Sequence, residues 1–138
     1  MFTQGDFVGE WHLRRQIDDC LSGQTGDVSG TAVLSDAASG GLRDHETGKM
    51  TFGGGPPMTA ERRYNWIFRP DHVEVTFADG AAFHCFVPKG HVAGTDHPCG
   101  ADFYTVRYDF TQWPRWRAVW TVTGPRKDYV SVSQYERG

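Results

Sequence analysis

Histidine and cysteine residues are concentrated between positions 84 and 99, where their side chains could bind a metal or act in catalysis. The set comprises His84, Cys85, His91, His97 and Cys99. Imidazole and thiolate groups are zinc ligands, but this spacing matches no structural zinc motif, whose ligands come in closely spaced pairs. Cys99 could be a nucleophile activated by His84 or His97, although no third orienting group is evident. We therefore predict neither a metal site nor a catalytic cysteine.

A second arrangement joins His84 to Asp102 and Tyr104, whose side chains suit proton transfer inside an aromatic pocket. The same three residues could instead form a hydrogen-bonded network that fixes the register of the strands. No Gly-x-Ser-x-Gly, His-Glu-x-x-His or calcium-binding loop occurs in the sequence. An acid–base enzyme is therefore an alternative hypothesis and not the leading one.

The charge balance excludes several classes of partner. Fourteen basic and seventeen acidic residues give a net charge of −3, whereas nucleic-acid-binding proteins usually have a basic excess. No apolar stretch approaches the roughly 18 residues of a membrane span. The first residues lack the basic and apolar regions of a secretion signal, and three cysteines without a Cys-x-x-Cys pair fit a reducing compartment. We predict a cytoplasmic protein without nucleic-acid or membrane partners, and the sequence does not indicate its oligomeric state.

The elements that position these residues are predicted to be strands. The chain has 138 residues, which suits a single domain (1–138), and it contains only four Leu and two Ile. Twelve Val, twelve Thr, nineteen aromatic residues and seventeen Gly suit pleated, half-buried strands joined by turns. Alternation and turn residues predict about nine strands, over residues 9–17, 28–35, 42–52, 59–68, 73–77, 82–87, 102–110, 116–122 and 128–136.

Short connections between successive strands predict antiparallel neighbours. Closure of so many strands would remove the exposed edges of an open sheet. We therefore predict an all-β fold, an antiparallel up-and-down barrel of about 8–10 strands, with residues 89–100 as a long loop.

The inward phase of these strands places aromatic side chains and a few charged ones inside the barrel. Aromatic walls with a few convergent polar groups are typical of a small-molecule pocket. Two interpretations of Arg15 and Arg62 stay open. The two arginines could pair with Asp102, Glu46 or tyrosine hydroxyls in a filled barrel, or they could bind an anionic ligand. The candidate ligand-binding residues are Arg15, Arg62, Tyr64, Trp66, His84, Asp102, Tyr104, Tyr108 and Trp120.

The direction of His84 depends on the turn at Asp79-Gly80. A two-residue turn places Val75 opposite His84, which then faces the interior. A three-residue turn with a glycine bulge places Val75 opposite Phe83, and His84 then faces solvent. The sequence leaves both registers open.

The segment Phe7-Val8-Gly9-Glu10-Trp11 resembles the Gly-x-Trp start of the first strand in lipocalins and the wider calycin superfamily. Asp102-Phe103-Tyr104, followed by Tyr108, is similar to their second signature. The resemblance implies a barrel whose tryptophan closes the floor beside a basic residue from the far end of the chain. Either Arg126 or Arg137 could be that residue.

A second resemblance is to an uncharacterised bacterial family of unknown function, over nearly the whole chain. It is carried by Gly124-Pro125-Arg126-Lys127-Asp128-Tyr129, His97-Pro98-Cys99 and Tyr108-Asp109-Phe110. This resemblance supports a barrel and implies no established activity. The leading hypothesis is a barrel that binds a small amphipathic or aromatic anionic molecule, with no cofactor. The alternatives are the acid–base enzyme and an interaction module with a solid barrel.

Overall fold

The structure, a computed structural model, describes residues 1–137 and contains eleven strands and one short helix. Gly138, which the predicted single domain includes, lies outside the described residues. The elements are α1 (Gln4–Phe7), β1 (Gly9–Asp19), β2 (Thr25–Asp36), β3 (Leu42–Phe52), β4 (Met58–Phe68), β5 (Val73–Phe77), β6 (Ala82–Phe86), β7 (His91–Ala93), β8 (His97–Cys99), β9 (Asp102–Asp109), β10 (Trp116–Thr123) and β11 (Asp128–Arg137).

All pairs of neighbouring strands are antiparallel, and ten strands follow one path in the order β6-β5-β4-β3-β2-β1-β11-β10-β9-β7. The strand β8 pairs with β9 beside this path. Thr95 bridges the two ends, because its N–H donates to the Cys85 carbonyl at 2.9 Å and its hydroxyl accepts from the Cys85 N–H at 2.8 Å. The result is a nearly closed barrel, which confirms the predicted all-β, antiparallel up-and-down fold.

Two short strands and the helix were not predicted. The strands β7 and β8 have three residues each and lie in the segment predicted to be a loop, because three residues are too few to show an alternating pattern. The helix is a single turn, stabilised where the Thr3 N–H donates to the Asp6 carboxylate at 2.7 Å.

Aromatic rings fill one end of the barrel, which we call the closed end. It comprises Phe7, Trp11, Phe110, Trp113 and Arg137. The rings of Phe7 and Trp113 meet edge to face, with centroids 5.0 Å apart, and Trp11 meets Trp113 at 5.5 Å. Trp11 is completely buried, and its indole N–H donates to the Phe7 carbonyl at 2.9 Å. The first inward-facing side chain of β1, Trp11, therefore lies in the packed aromatic cluster of the closed end.

The cation beside Trp11 is Arg137. Its guanidinium carbon lies 3.8 Å from the centroid of the Trp11 ring, and the guanidinium donates to the carbonyls of Val8 and Asp6. Gly9 has φ +130°, and a Cβ there would lie 2.5 Å from Arg137 Nη1. The glycine of the Gly-x-Trp motif therefore makes room for the arginine that covers the tryptophan.

The turn between β5 and β6 is closed by the pairing of Phe77 with Ala81, so three residues, 78–80, form its loop. The Phe77 N–H donates to the Ala81 carbonyl, the Gly80 N–H donates to the Phe77 carbonyl, both at 2.9 Å, and Gly80 has φ +90°. By itself this loop would give the register in which His84 faces solvent.

A bulge in β6 reverses that outcome. Thr76 lies opposite Ala82, whereas Val75 lies opposite His84, so Phe83 is the extra residue between them. Each predicted register is therefore observed in part. The loop has the three residues of the bulged alternative, whereas Val75 lies opposite His84 as in the two-residue alternative. His84 consequently faces the interior and is buried.

Candidate functional site

The end of the barrel opposite the closed end encloses a cavity of about 220 Å³, which we call the hollow end. Ten aromatic side chains line it, together with other residues from β1, β3, β4, β5, β6, β8, β10 and β11. The aromatic ones are Tyr64, Trp66, Phe77, Phe83, Tyr104, Tyr108, Trp116, Trp120, Tyr129 and Tyr135. The rings of Phe83 and Trp120 are nearly parallel, with an interplanar angle of 12° and centroids 4.9 Å apart.

Eight of the nine candidate residues line this cavity, and Asp102 does not. The eight are Arg15, Arg62, Tyr64, Trp66, His84, Tyr104, Tyr108 and Trp120. The Asp102 carboxylate lies 3.3 Å from Lys127 Nζ, and Lys127 also donates to the Tyr104 hydroxyl at 2.8 Å. The hydrogen bonds of the described residues join neither Asp102 nor Tyr104 to His84.

Arg15 is buried and bound by other side chains of the barrel. Its Nη2 donates to Glu46 at 2.9 Å and to the Tyr135 hydroxyl at 3.4 Å, and its Nε donates to Ser133 at 2.6 Å. The Tyr135 hydroxyl in turn donates to the other Glu46 oxygen at 2.6 Å. The charge of Arg15 is thus neutralised by a fully buried partner, which matches the paired interpretation of this arginine.

Asp44, two residues before Glu46 on β3, is also buried and lines the cavity. Burial raises the pKa of this carboxyl well above its usual range, and the Glu46 carboxylate raises it further, against the opposing effect of Arg15. Asp44 Oδ1 has no hydrogen-bond partner among the described residues. This carboxyl therefore binds a proton more readily than an ordinary aspartate does.

His84 and Tyr108 form a buried pair in which His84 Nε2 lies 2.7 Å from the tyrosine hydroxyl. Burial, together with a smaller effect of the nearby His97, lowers the pKa of His84 to about 3. The imidazole is therefore neutral at neutral pH, and a base with so low a pKa accepts protons poorly there. His84 Nδ1 has no partner within the described part of the chain.

Arg62 lies at the rim of the hollow end. It is exposed yet lines the cavity, and its charge lowers the pKa of Tyr64 and Tyr129 against the larger raising effect of their burial. No ion pair of Arg62 occurs among residues 1–137, whereas its neighbour Arg63 pairs with Glu61 at 2.9 Å on the outer face. Arg62 is therefore a cation that is available to a ligand.

Four buried polar atoms of the hollow end lack a hydrogen-bond partner among the described residues. They are Asp44 Oδ1, His84 Nδ1, His97 Nε2 and Trp116 Nε1. Most buried polar atoms in native proteins are hydrogen-bonded, because an unpaired one keeps its full desolvation penalty. All four belong to residues that line the cavity, and none belongs to the residues of the closed end.

Asp44 and Trp116 were not among the predicted site residues. Asp44 lies on the inward phase of β3 between Leu42 and Glu46, so the alternation that placed Arg15 could have found it. Trp116 lies on the buried face of β10, but nothing in the sequence shows that its indole N–H is left without a partner.

Within residues 1–137, no three His, Cys, Asp or Glu side chains lie close enough together to bind a metal ion. The cysteines Cys20, Cys85 and Cys99 are free thiols, and Cys99 lies at the edge of the cavity. Over the same residues, no helix has the length and apolar character to cross a membrane.

Two solved structures share the fold. The S-type phycobiliprotein lyase CPES from Guillardia theta superposes with a TM-score of 0.72 at 10% identity, over 98% of this chain and 90% of the lyase. A protein of unknown function from the DUF3598 family of Nostoc punctiforme gives a TM-score of 0.62 at 12% identity, over 98% of this chain and 48% of that protein.

These likenesses show the fold alone, and they confirm the barrel that the Gly-x-Trp segment indicated. No curated protein matches the sequence. A family model matches residues 7–137, which is nearly the whole chain, and it confirms the resemblance to a family of unknown function. The chain belongs to the family of unknown function DUF6314.

Proposed function

We propose that the hollow end binds a small aromatic molecule that carries an anionic group. The observation that carries this proposal is the aromatic-walled cavity at whose rim Arg62 lies without an ion-pair partner among the described residues. A purely apolar cavity could stay empty, whereas aromatic walls with a charged group at the rim suit a small molecule that is both aromatic and anionic. A solid interaction module would not leave such a space inside the barrel.

The size and shape of the cavity favour a planar molecule with one or two rings. Its volume is about 220 Å³, and a cavity of about 150 Å³ is known to hold benzene. The nearly parallel rings of Phe83 and Trp120, with Tyr64 stacked at 5.7 Å from Phe83, give the walls flat faces. Aromatic rings pack well in offset stacks on such faces.

The charges of the site favour an anionic group at the rim. Arg15 already has Glu46 as its partner, and Lys127 is held by Asp102 and Tyr104. Arg62 is left to bind a carboxylate or phosphate, which a guanidinium can hold through two hydrogen bonds.

The acid–base enzyme is less well supported. It needs His84, Asp102 and Tyr104 around one substrate, but Asp102 and Tyr104 are held by Lys127 and His84 is bound to Tyr108. The likeness to the phycobiliprotein lyase supports the barrel and is too distant to support a lyase reaction.

Calorimetric titration with 2-naphthoate tests the proposal, with neutral 2-naphthamide as the uncharged analogue. The wild-type protein is expected to bind both compounds. Arg62→Gln is expected to weaken naphthoate binding about tenfold and to leave naphthamide binding unchanged, because a charge-assisted hydrogen bond is lost.

Arg63→Gln is the matched control, since Arg63 is adjacent in sequence and faces outward. It should leave the affinity for both compounds unchanged. The proposal fails if neither compound binds, or if the two arginine variants weaken naphthoate binding equally.

A further inference from the structure

A second cavity, of about 300 Å³, lies beside the first one at the hollow end. We call it the outer pocket and call the first one the aromatic cavity. Arg15, Glu46 and Arg62 line both cavities, so the two are neighbours and share one boundary. The apolar side chains of the outer pocket are those of Leu13, Ile17, Val28, Met50 and Ala60.

The register of the strands explains the apolar character of the outer pocket. Side chains two residues apart on a strand point to the same face. Beyond the ion pair of Arg15 with Glu46, the inward face of β1 continues to Ile17. The inward faces of β3 and β4 continue likewise to Met50 and Ala60. These three side chains are half-buried, so part of their apolar surface is accessible within the outer pocket.

The charges that line the outer pocket favour an uncharged occupant. Arg15 and Glu46 neutralise each other through a 2.9 Å ion pair, and Glu61 pairs with Arg63 at 2.9 Å. The remaining charged residue of the lining is Arg62, which has no ion pair among residues 1–137. A charged group beyond Arg62 would find no free counter-ion, and an unpaired charge is costly to desolvate.

The position of Arg62 determines how one molecule would use both cavities. The proposed ligand has its ring in the aromatic cavity and its anionic group at Arg62, which borders the outer pocket as well. A substituent that branches next to the anionic group would therefore enter the outer pocket. The volume of this pocket is about 300 Å³, which is twice the roughly 150 Å³ of a cavity known to hold benzene. It is large enough for a chain of several carbons.

We propose that the outer pocket binds an aliphatic arm of the ligand, which branches from the carbon that carries the anionic group. This inference rests on the proposed binding of an aromatic anion. The ring occupies the aromatic cavity, and the anionic group binds Arg62 at the shared boundary. The aliphatic arm packs against Ile17, Met50 and Ala60. The ligand class is therefore a branched aromatic acid whose α-carbon carries an aliphatic chain.

Two aromatic acids that differ only in the length of this arm test the outer pocket. The α-carbon of 2-(2-naphthyl)octanoate carries a six-carbon chain, whereas that of 2-(2-naphthyl)propanoate carries a methyl group. In calorimetric titration the wild-type protein is expected to bind the octanoate at least about thirtyfold more tightly than the propanoate. The reason is that most of the additional methylene groups leave water.

Three variants assign this preference to the outer pocket. Ala60→Phe fills the pocket and should reduce the preference for the octanoate to less than about threefold, with little change in propanoate binding. Met50→Glu places a carboxylate beside the chain and should have the same effect, so it serves if Ala60→Phe fails to fold. Ala93→Phe is the matched control, because Ala93 is an exposed strand alanine that lines neither cavity. It should retain the full preference.

The methionine methyl groups give a second readout. The chain has three methionines, so a sample labelled with 13C at these methyl groups gives few NMR signals. The Met50 signal should lie at a different chemical shift in the octanoate complex than in the propanoate complex. Met1 lines neither cavity, so its signal should be the same in both complexes.

Equal affinity of the wild-type protein for the two acids would overturn the binding of an aliphatic arm and leave the proposed aromatic binding intact. A preference that survives in both Ala60→Phe and Met50→Glu would do the same, as would a Met50 signal that is identical in the two complexes. Binding of 2-naphthoate but of neither branched acid would also overturn only this inference. Failure of all three acids to bind would overturn the proposed function as well.

Discussion

The two ends of this barrel are built from the same residue types and differ in how their polar atoms are satisfied. At the closed end the Trp11 indole donates to the Phe7 carbonyl, and Arg137 donates to two backbone carbonyls while it covers the Trp11 ring. At the hollow end four buried polar atoms have no partner among the described residues.

The difference shows that aromatic content does not by itself identify a binding site. Rings packed edge to face with satisfied donors make a rigid floor, as Phe7 and Trp113 do with centroids 5.0 Å apart. Rings around unsatisfied donors make a pocket. We therefore expect mutations at the closed end to affect stability and those at the hollow end to affect binding.

Removal of one tryptophan from each end should give the largest contrast. Trp11→Ala deletes a completely buried ring and should lower the free energy of unfolding by about 3–5 kcal/mol. Trp120→Ala deletes a partly exposed ring that borders existing space, so we expect a loss of only about 1–2 kcal/mol. Urea unfolding measures both values, and equal losses would contradict the distinction between the two ends.

Enlargement of one alanine at each end tests the packing directly. Ala32 is completely buried opposite Trp11, so Ala32→Leu should overpack the closed end and destabilise the protein by about 1–3 kcal/mol. Ala118 lines the cavity, so Ala118→Leu should change stability by less than about 1 kcal/mol. The same substitution should abolish 2-naphthoate binding in calorimetry. Strong destabilisation by Ala118→Leu would mean that the hollow end is already full.

The pH dependence of stability should report on His84. Its pKa is about 3 in the folded protein and about 6.5 in the unfolded chain, so the unfolded chain binds the proton first. The contribution of His84 to the free energy of unfolding is complete above pH 6.5 and is lost as the pH falls toward 3. At pH 5 the loss should be about 2 kcal/mol relative to pH 7. His84→Gln should flatten this part of the stability profile, as measured by urea unfolding at several pH values.

His72 provides a control of opposite sign. It is paired with Asp71 and Glu74 near the surface, and the hydrogen bond to Asp71 raises its pKa. Its pairing therefore stabilises the folded state at acid pH, and His72→Gln should steepen the loss between pH 7 and 5. If both histidine variants flattened the profile, His84 would not be the source of the effect.

The fold could be predicted from the sequence because alternation is strong in the long strands. In β1, Trp11, Leu13 and Arg15 are buried and the residues between them are exposed. The predicted third strand has the observed bounds of β3. A period of two over ten or more residues places side chains correctly even when a strand end is misplaced.

Local irregularities could not be predicted in the same way. The bulge at Phe83 depends on how β6 meets Thr95 and the barrel wall, which are contacts between distant segments. The strands β7 and β8 are defined by pairing with β9 and have no alternation of their own.

The position of the site was more predictable than its chemistry. Alternation brought eight of the nine candidate residues to one cavity, but it could not show that Arg15 is neutralised by Glu46 or that Lys127 holds Asp102. Which polar atoms remain unpaired depends on side-chain geometry across the barrel. That geometry cannot be predicted from the alternation of residue types along the chain.

A crystal structure of the protein with 2-naphthoate bound would show where an aromatic anion binds. We expect the ring between the aromatic walls of the hollow end and the carboxylate within hydrogen-bond distance of Arg62. A naphthoate ring bound outside the barrel would contradict this expectation, as would a hollow end occupied only by ordered waters that bridge Asp44, His84 and Trp116.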